Sequence, residues 1–130
     1  MRLSLQKHLF LLTAFLLLFA SFTNGANRYW IATSAGVWNN TANWSATSGG
    51  AGGASVPVGV DKAIFNSLAN GSCTIGSAVS VGGIQVISGF TGTINHTSGT
   101  LSIGSSNFSI ASGTFTTGAY FSCGGTFLVS

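Results

Sequence analysis

Acidic side chains are almost absent from the sequence, in which Asp61 is the single carboxylate. Glycoside hydrolysis typically requires a pair of Asp or Glu side chains, so catalysis by paired carboxylates is excluded. Other charges are also scarce: 4% of the residues are charged, and the only cations beyond residue 26 are Arg28 and Lys62. A chain without a basic cluster cannot displace many counterions from a phosphate backbone, and we therefore expect no nucleic-acid partner.

Other catalytic and metal-binding patterns are missing too. A Ser-His-Asp triad would have to combine Asp61 with His96, but no Gly-x-Ser-x-Gly elbow surrounds any serine. We interpret Asp61 as an acceptor at a turn or strand entry and His96 as a loop or surface residue. The glycine-rich stretch 49–53 matches neither the dinucleotide-binding pattern nor the P-loop and indicates a flexible loop. With Cys73 and Cys123 far from any ligand-like spacing, the sequence predicts no enzyme, no cofactor and no metal site.

The first 26 residues have the order of segments found in a secretory signal peptide. Arg2 and Lys7 provide a positive start, Leu9–Ala20 is a largely apolar run, and Ser21–Ala26 is polar and small. About 12 residues form a helix of roughly 18 Å, which is short for a bilayer core of roughly 30 Å. We therefore predict a cleaved signal peptide over 1–26 and a secreted, extracellular or cell-surface protein. A retained membrane anchor is the alternative, whereas residues 27–130 contain no predicted membrane span.

The second half of the chain carries a degenerate internal repeat of short apolar segments. Glycines interrupt the repeat too often for a coiled coil, because each costs a helix about 1 kcal/mol. Within the segments the apolar residues alternate with Ser, as in Val79-Ser80-Val81 and Leu101-Ser102-Ile103, which predicts strands of three to five residues. One residue of each segment follows a seven-residue spacing: Ile87, Ile94, Leu101, Phe108 and Phe115.

Short strands at this spacing favour an all-β fold of the solenoid type. Each seven-residue side would turn a corner, and two or three sides would complete a rung of 14 or 21 residues, stacked about 4.8 Å above the previous rung. An antiparallel β-sandwich is the alternative, although its strands are typically longer. We divide the mature chain into a Trp- and Gly-rich N-terminal cap segment at 27–66 and β-solenoid repeats at 67–130.

The solenoid geometry bears on the two cysteines, Cys73 and Cys123. Their separation in the sequence exceeds two rungs, so a shared column would place them roughly 10 Å or more apart. A disulfide requires Cα atoms within about 7 Å of each other. We therefore favour free thiols that act as small buried hydrophobic groups, with a disulfide within or between chains as the alternative.

Several motifs together resemble a known class of proteins. The motifs are Arg28-Tyr29-Trp30, Gly36-Val37-Trp38, Asn43-Trp44-Ser45, the run from Ala46 to Pro57, Asp61–Asn66 and Gly89–Ile94. This combination resembles the opening module of large exported bacterial surface proteins of the adhesin or autotransporter-passenger type. The resemblance implies a right-handed parallel β-helix. It also implies a longer protein with many repeats and a C-terminal attachment region.

Three tryptophans, Trp30, Trp38 and Trp44, are the candidate contact residues. Exposed indole faces can stack on sugar rings or apolar partners. The competing interpretation, which we favour, is an N-terminal cap that covers the open end of a narrow Val and Ile core.

The printed sequence stops at Phe127–Ser130, within a predicted apolar strand. A bare solenoid end is a template for further strand pairing. We expect either a fragment of a longer protein, the favoured option, or an open end that stacks on another subunit.

Together these features predict a secreted, non-catalytic surface or extracellular-matrix scaffold that contacts glycans or host and cell surfaces. The alternatives are a self-assembling extracellular filament subunit and a carbohydrate-binding module.

Overall fold

A computed structural model describes residues 24–130, so residues 1–23 of the predicted signal peptide lie outside the described range. The described chain is built from short strands, with one 3-10 turn at Thr41–Asn43. The strands are β1 (Asn27–Trp30), β2 (Gly36–Val37), β3 (Trp44–Ser45), β4 (Lys62–Phe65), β5 (Cys73–Ile75), β6 (Val79–Val81), β7 (Gly83–Val86), β8 (Thr93–His96), β9 (Leu101–Ile103), β10 (Phe108–Ile110), β11 (Thr114–Thr117), β12 (Phe121–Cys123) and β13 (Phe127–Val129).

Consecutive strands lie in different sheets, as a solenoid requires. The first sheet has the order β13-β10-β7-β4-β1-β3, the second β11-β8-β5-β2, and the third β12-β9-β6. One strand from each sheet makes a rung, so β4-β5-β6, β7-β8-β9 and β10-β11-β12 are complete rungs. Pairing is parallel throughout, except where β1 meets β3. The predicted β-solenoid is confirmed, and the sandwich alternative is wrong.

The register shows that the rung has three sides. Ile94 lies opposite Cys73 in one direction and Phe115 in the other, which places equivalent residues 21 positions apart on the second sheet. The predicted boundary after residue 66 falls inside the first complete rung, because β4 already pairs with β7. The part that precedes this rung therefore contains β1, β2, β3 and the loop that follows them.

The alternation of apolar and polar residues explains the core. Val79 and Val81 are buried on either side of exposed Ser80, and in β9 Leu101 and Ile103 are buried on either side of half-buried Ser102. Ile94, Leu101 and Phe108 come from three different sheets and are all buried, as the seven-residue spacing predicts. Burying each such side chain contributes about 1.5–3 kcal/mol.

Ile87 departs from the predicted repeat. It lies just beyond β7 and is 40% exposed, whereas Ile84 and Val86 occupy the inward positions of that strand. The chain turns a corner through Gly89, whose φ of 93° is left-handed and suits glycine. A sevenfold spacing alone cannot identify which residue is the last before a corner.

The core changes in size along the solenoid axis. On the first sheet the inward column runs from Ala63 through Ile84 to Phe108 and Phe127. The other two sheets show the same increase, from Cys73 through Ile94 to Phe115 and from Val79 through Leu101 to Phe121. The third rung consequently has a phenylalanine on each of its three sides.

Candidate functional site

The candidate contact residues of the N-terminal region form one aromatic cluster above the first complete rung. The ring centroids of Trp30 and Trp44 are 5.2 Å apart, those of Trp38 and Trp44 are 4.9 Å apart, and both pairs meet edge to face. Phe65 of the first rung lies 5.7 Å from Trp44. Edge-to-face pairs are a favourable geometry for aromatic rings, so the cluster packs as a layer continuous with the core.

Hydrogen bonds fix this layer to the main chain. The Trp30 Nε1–H donates to the Gly71 carbonyl and the Trp44 Nε1–H to the Trp38 carbonyl, each at 2.7 Å. Trp30, Trp38 and Trp44 are 1%, 2% and 0% exposed. The position and burial are those of a cap. No indole face is open to a sugar ring, contrary to the contact role considered for these residues.

Asp61 has the turn role that the sequence predicts. Its Oδ1 accepts from the Ala26 backbone N–H at 2.8 Å, and its Oδ2 accepts from the Val58 N–H at 3.2 Å. The carboxylate therefore joins the start of β1 to the turn that leads into β4. Both carboxylate oxygens of the only acidic residue in the chain therefore accept backbone hydrogen bonds, which is a structural role.

His96 is buried, so its assignment to a loop or the surface is wrong. The residue ends β8 with no exposed area, and its partners are Thr117 Oγ1 at 2.9 Å from Nδ1 and the Gly99 carbonyl at 3.2 Å from Nε2. Because a carbonyl only accepts, Nε2 carries a proton. The ring bonds the second rung to the third, and no hydrogen bond joins it to Asp61.

The two cysteines lie on different sheets and are both free. Cys73 is fully buried on β5, and desolvation raises the pKa of its thiol far above the ordinary value. Cys123 is half-buried on β12 and packs against the core. The predicted absence of a disulfide between Cys73 and Cys123 within one chain is confirmed. The predicted burial of the two thiols is complete at Cys73 and partial at Cys123.

Polar side chains on the outside of the second and third sheets bond to each other between rungs. Thr116 Oγ1 donates to Asn95 Oδ1 at 2.8 Å on the second sheet, and the hydroxyls of Ser122 and Ser102 are 3.4 Å apart on the third. Their hydrogen-bonding capacity is therefore used in part within the protein.

The outside of the first sheet carries a groove that the sequence did not reveal. It is lined by Lys62, Gly83, Ile84, Gln85, Ser106, Asn107, Ser109 and Leu128. Gln85 lies opposite Ser109, and Ser109 opposite Leu128, so the lining follows a column across β7, β10 and β13. Among the described residues, none forms a side-chain hydrogen bond with Gln85 or Ser109, in contrast to the other two sheets.

Within residues 24–130, no helix is long and apolar enough to cross a membrane, and no three His, Cys, Asp or Glu side chains are grouped to hold a metal ion. No protein-family model, no curated protein and no solved structure matches the chain.

Proposed function

We propose that the protein is a secreted, non-catalytic scaffold of the cell surface or extracellular matrix, with an adhesive role. The observation that carries this proposal is a three-sided stack of rungs whose outer faces are rich in Ser, Thr and Asn and nearly free of charge. Such faces present many hydroxyl and amide groups to water, to glycans and to neighbouring chains.

The stacking also supports a mechanical role. Each strand of the middle rung is hydrogen-bonded to a rung above and a rung below. Among the described residues, no buried side-chain polar atom lacks a hydrogen-bond partner. A fold with satisfied polar groups and a continuous apolar core resists local opening, which suits a load-bearing extracellular element.

The titratable groups support a non-catalytic role. The Asp61 oxygens accept backbone N–H groups, His96 is enclosed between two rungs, and the raised pKa of Cys73 keeps its thiol protonated. A nucleophile needs an activated thiolate or an adjacent base, and neither arrangement is found at these residues.

The adhesive role is tested with the full chain produced by a secreting host. We expect the protein in the medium or on the cell surface, and beads coated with it should bind to glycan-bearing surfaces more strongly than beads coated with an inert protein. A chain lacking residues 1–26 should stay inside the producing cells. Retention of the full chain in the cytoplasm would overturn the secreted role, and coated beads that bind no better than the inert control would overturn the adhesive one.

A second candidate is a subunit that self-assembles end to end, favoured by the far edge of the solenoid. Within the described chain, β11, β12 and β13 each pair with a strand on one side only. This edge carries Phe127 at 48% exposure and Val129 at 69%. Unpaired strand edges with apolar side chains are templates for addition of another chain.

Light scattering over a range of concentrations tests this candidate. We expect the average mass to rise with concentration, and Val129→Lys should suppress the rise because a charge at the edge opposes pairing. Val58→Lys is the matched control, since Val58 is 56% exposed but lies in the loop before β4. A constant monomer mass, or equal effects of the two substitutions, would refute end-to-end assembly.

A further inference from the structure

The groove on the first sheet combines a cationic side chain, several polar side chains and an apolar side chain. It extends over four parallel strands, from Lys62 on β4 to Leu128 on β13. Between them lie the amide of Gln85 and the hydroxyl of Ser109. Gln85, Ser109 and Leu128 form one column with a spacing of about 4.8 Å, so they can contact successive groups of one extended ligand. Lys62 is offset from this column by two residues, because it lies opposite Gly83.

Lys62 brings an uncompensated positive charge to one end of the groove. The only other cation among residues 24–130, Arg28, donates from Nε to the Ser55 carbonyl at 3.1 Å and to the Ser55 hydroxyl at 3.0 Å. The single carboxylate, Asp61, accepts backbone N–H groups. Lys62 is exposed, and no described residue forms an ion pair or hydrogen bond with its ammonium group.

A buried glycine on β7 lies beside Lys62 and allows a close approach of the next rung. Gly83 is the cross-strand neighbour of Lys62, so no side chain stands next to the lysine on β7. A Cβ atom at this position would lie 2.7 Å from the Ser106 carbonyl oxygen, which is too close for any larger residue without a shift of the backbone. Gly83 therefore lets the main chain of Ser106 and Asn107 pack directly against β7, which fixes the position of these two groove residues relative to Lys62.

The groove also offers both kinds of contact that sugars use. Ser106, Asn107, Gln85 and Ser109 present hydroxyl and amide groups, while the exposed Leu128 presents an apolar surface for C–H groups. The Asn107 Oδ1 accepts from the Thr126 backbone N–H at 2.9 Å, which holds the amide in place at the groove. Pre-positioned polar groups around an apolar contact are typical of ligand sites.

We propose that this groove binds an anionic sugar unit of an acidic polysaccharide. The Lys62 ammonium pairs with the carboxylate or sulfate, Gln85 and Ser109 hydrogen-bond to ring hydroxyls, and Leu128 packs against the sugar C–H face. The site is separate from the tryptophan cluster. The inference does not depend on the adhesive role, because binding is measured on the soluble chain.

Calorimetric titration of the secreted full chain tests the proposal with three oligosaccharides of equal length, one carboxylated, one sulfated and one neutral. We expect at least one acidic oligosaccharide to bind at least about tenfold more tightly than the neutral one, a ratio equivalent to about 1.4 kcal/mol. Higher salt should weaken that binding because it screens the ammonium group. The two acidic arms distinguish a carboxylate ligand from a sulfate ligand.

Lys62→Gln should reduce affinity for the acidic oligosaccharide about tenfold, whereas Lys62→Arg should retain most of it. Ser80→Ala, on the outside of the third sheet, is the matched control and should leave affinity unchanged. Near-ultraviolet circular dichroism of the buried tryptophans verifies that each variant is folded. Equal affinity of the Lys62→Gln variant and the original chain, equal affinity for acidic and neutral oligosaccharides, or no binding at millimolar concentration would each overturn the proposal.

Discussion

The described chain has two aromatic layers, one above the first complete rung and one in the third rung, and they are held in different ways. Above the first complete rung, Trp30, Trp38 and Trp44 are almost fully buried, and two of their indole N–H groups donate to main-chain carbonyls. In the third rung, Phe115 and Phe121 are only half-buried, and their ring centroids lie 5.6 Å apart.

The difference shows what each aromatic residue can do at the end of a stack. An indole has an apolar body and one donor, so it fills the core and also bonds to a fixed carbonyl. A phenyl ring has no polar group and is held only by packing, which requires a neighbouring layer to cover it. The tryptophan layer therefore closes the core, whereas the phenylalanine layer presents an apolar surface to whatever lies beyond it.

Truncation of the tryptophan layer should give the largest loss of stability. We expect Trp44→Ala to lower the free energy of unfolding by about 3–5 kcal/mol, because it removes a fully buried ring and leaves the Trp38 carbonyl without its donor. The matched control at the other end is Phe127→Ala, whose half-exposed ring should cost about 1 kcal/mol or less. Urea denaturation followed by circular dichroism measures both values, and similar losses would contradict the distinction between the hydrogen-bonded tryptophan layer and the phenylalanine layer.

His96 lies between the two aromatic layers, and its substitution should have an intermediate effect on the free energy of unfolding. We expect His96→Ala to cost about 2–3 kcal/mol, because it removes a fully buried ring and because the Gly99 carbonyl and the Thr117 hydroxyl each lose a hydrogen-bond partner. His96→Gln keeps a donor and an acceptor on a side chain of similar reach and should recover part of that loss. If His96→Ala left the denaturation midpoint unchanged, the ring would contribute nothing to joining the second and third rungs.

The reactivity of the two cysteine thiols gives a second comparison between the first rung, which contains Cys73, and the third rung, which contains Cys123. Desolvation raises the pKa of Cys73, so at pH 8 we expect iodoacetamide to modify Cys123 at least about tenfold faster, since the thiolate is the reactive form. Mass spectrometry of the alkylated chain measures the two rates. Equal rates in the folded protein would show that the region around Cys73 opens as readily as the third rung.

The raised pKa of Cys73 also determines whether stability rises or falls with pH. Above pH 9.0, the ordinary value of the thiol, the unfolded chain releases the Cys73 proton while the folded chain retains it. The free energy of unfolding should therefore fall as the pH rises from that value. Cys73→Ala removes the titrating group and should abolish this part of the decrease.

The sequence predicted the solenoid because its repeat reflects a local constraint. Val79-Ser80-Val81 and Leu101-Ser102-Ile103 alternate so strictly that one face must be buried, and glycines between such segments exclude helices. The prediction that Ile87 belongs to the core repeat was wrong, because Ile87 continues the seven-residue spacing but follows the last core position of β7. His96 was misplaced because a polar residue between Asn95 and Thr97 indicates a surface, whereas its burial depends on Gly99 and on Thr117 one rung away.

The groove could not have been predicted for a similar reason. Lys62, Gln85, Ser109 and Leu128 are each unremarkable outward residues of different strands, and no local motif links them. Their juxtaposition depends on the lengths of the corners, since 24 residues separate Ile84 from Phe108 but 19 separate Phe108 from Phe127 on the same sheet.

By itself, the sequence determined the strand type, the inward column of apolar residues, the turn role of Asp61 and the scarcity of charge, all of which depend on residue identity and short-range spacing. The tertiary structure alone decided that the rung has three sides, that His96 is enclosed, that the indoles are anchored to carbonyls, and that one lysine stands over an open groove. Those features depend on contacts between rungs, such as the one between His96 and Thr117, which are 21 positions apart and become neighbours only when one rung stacks on the next.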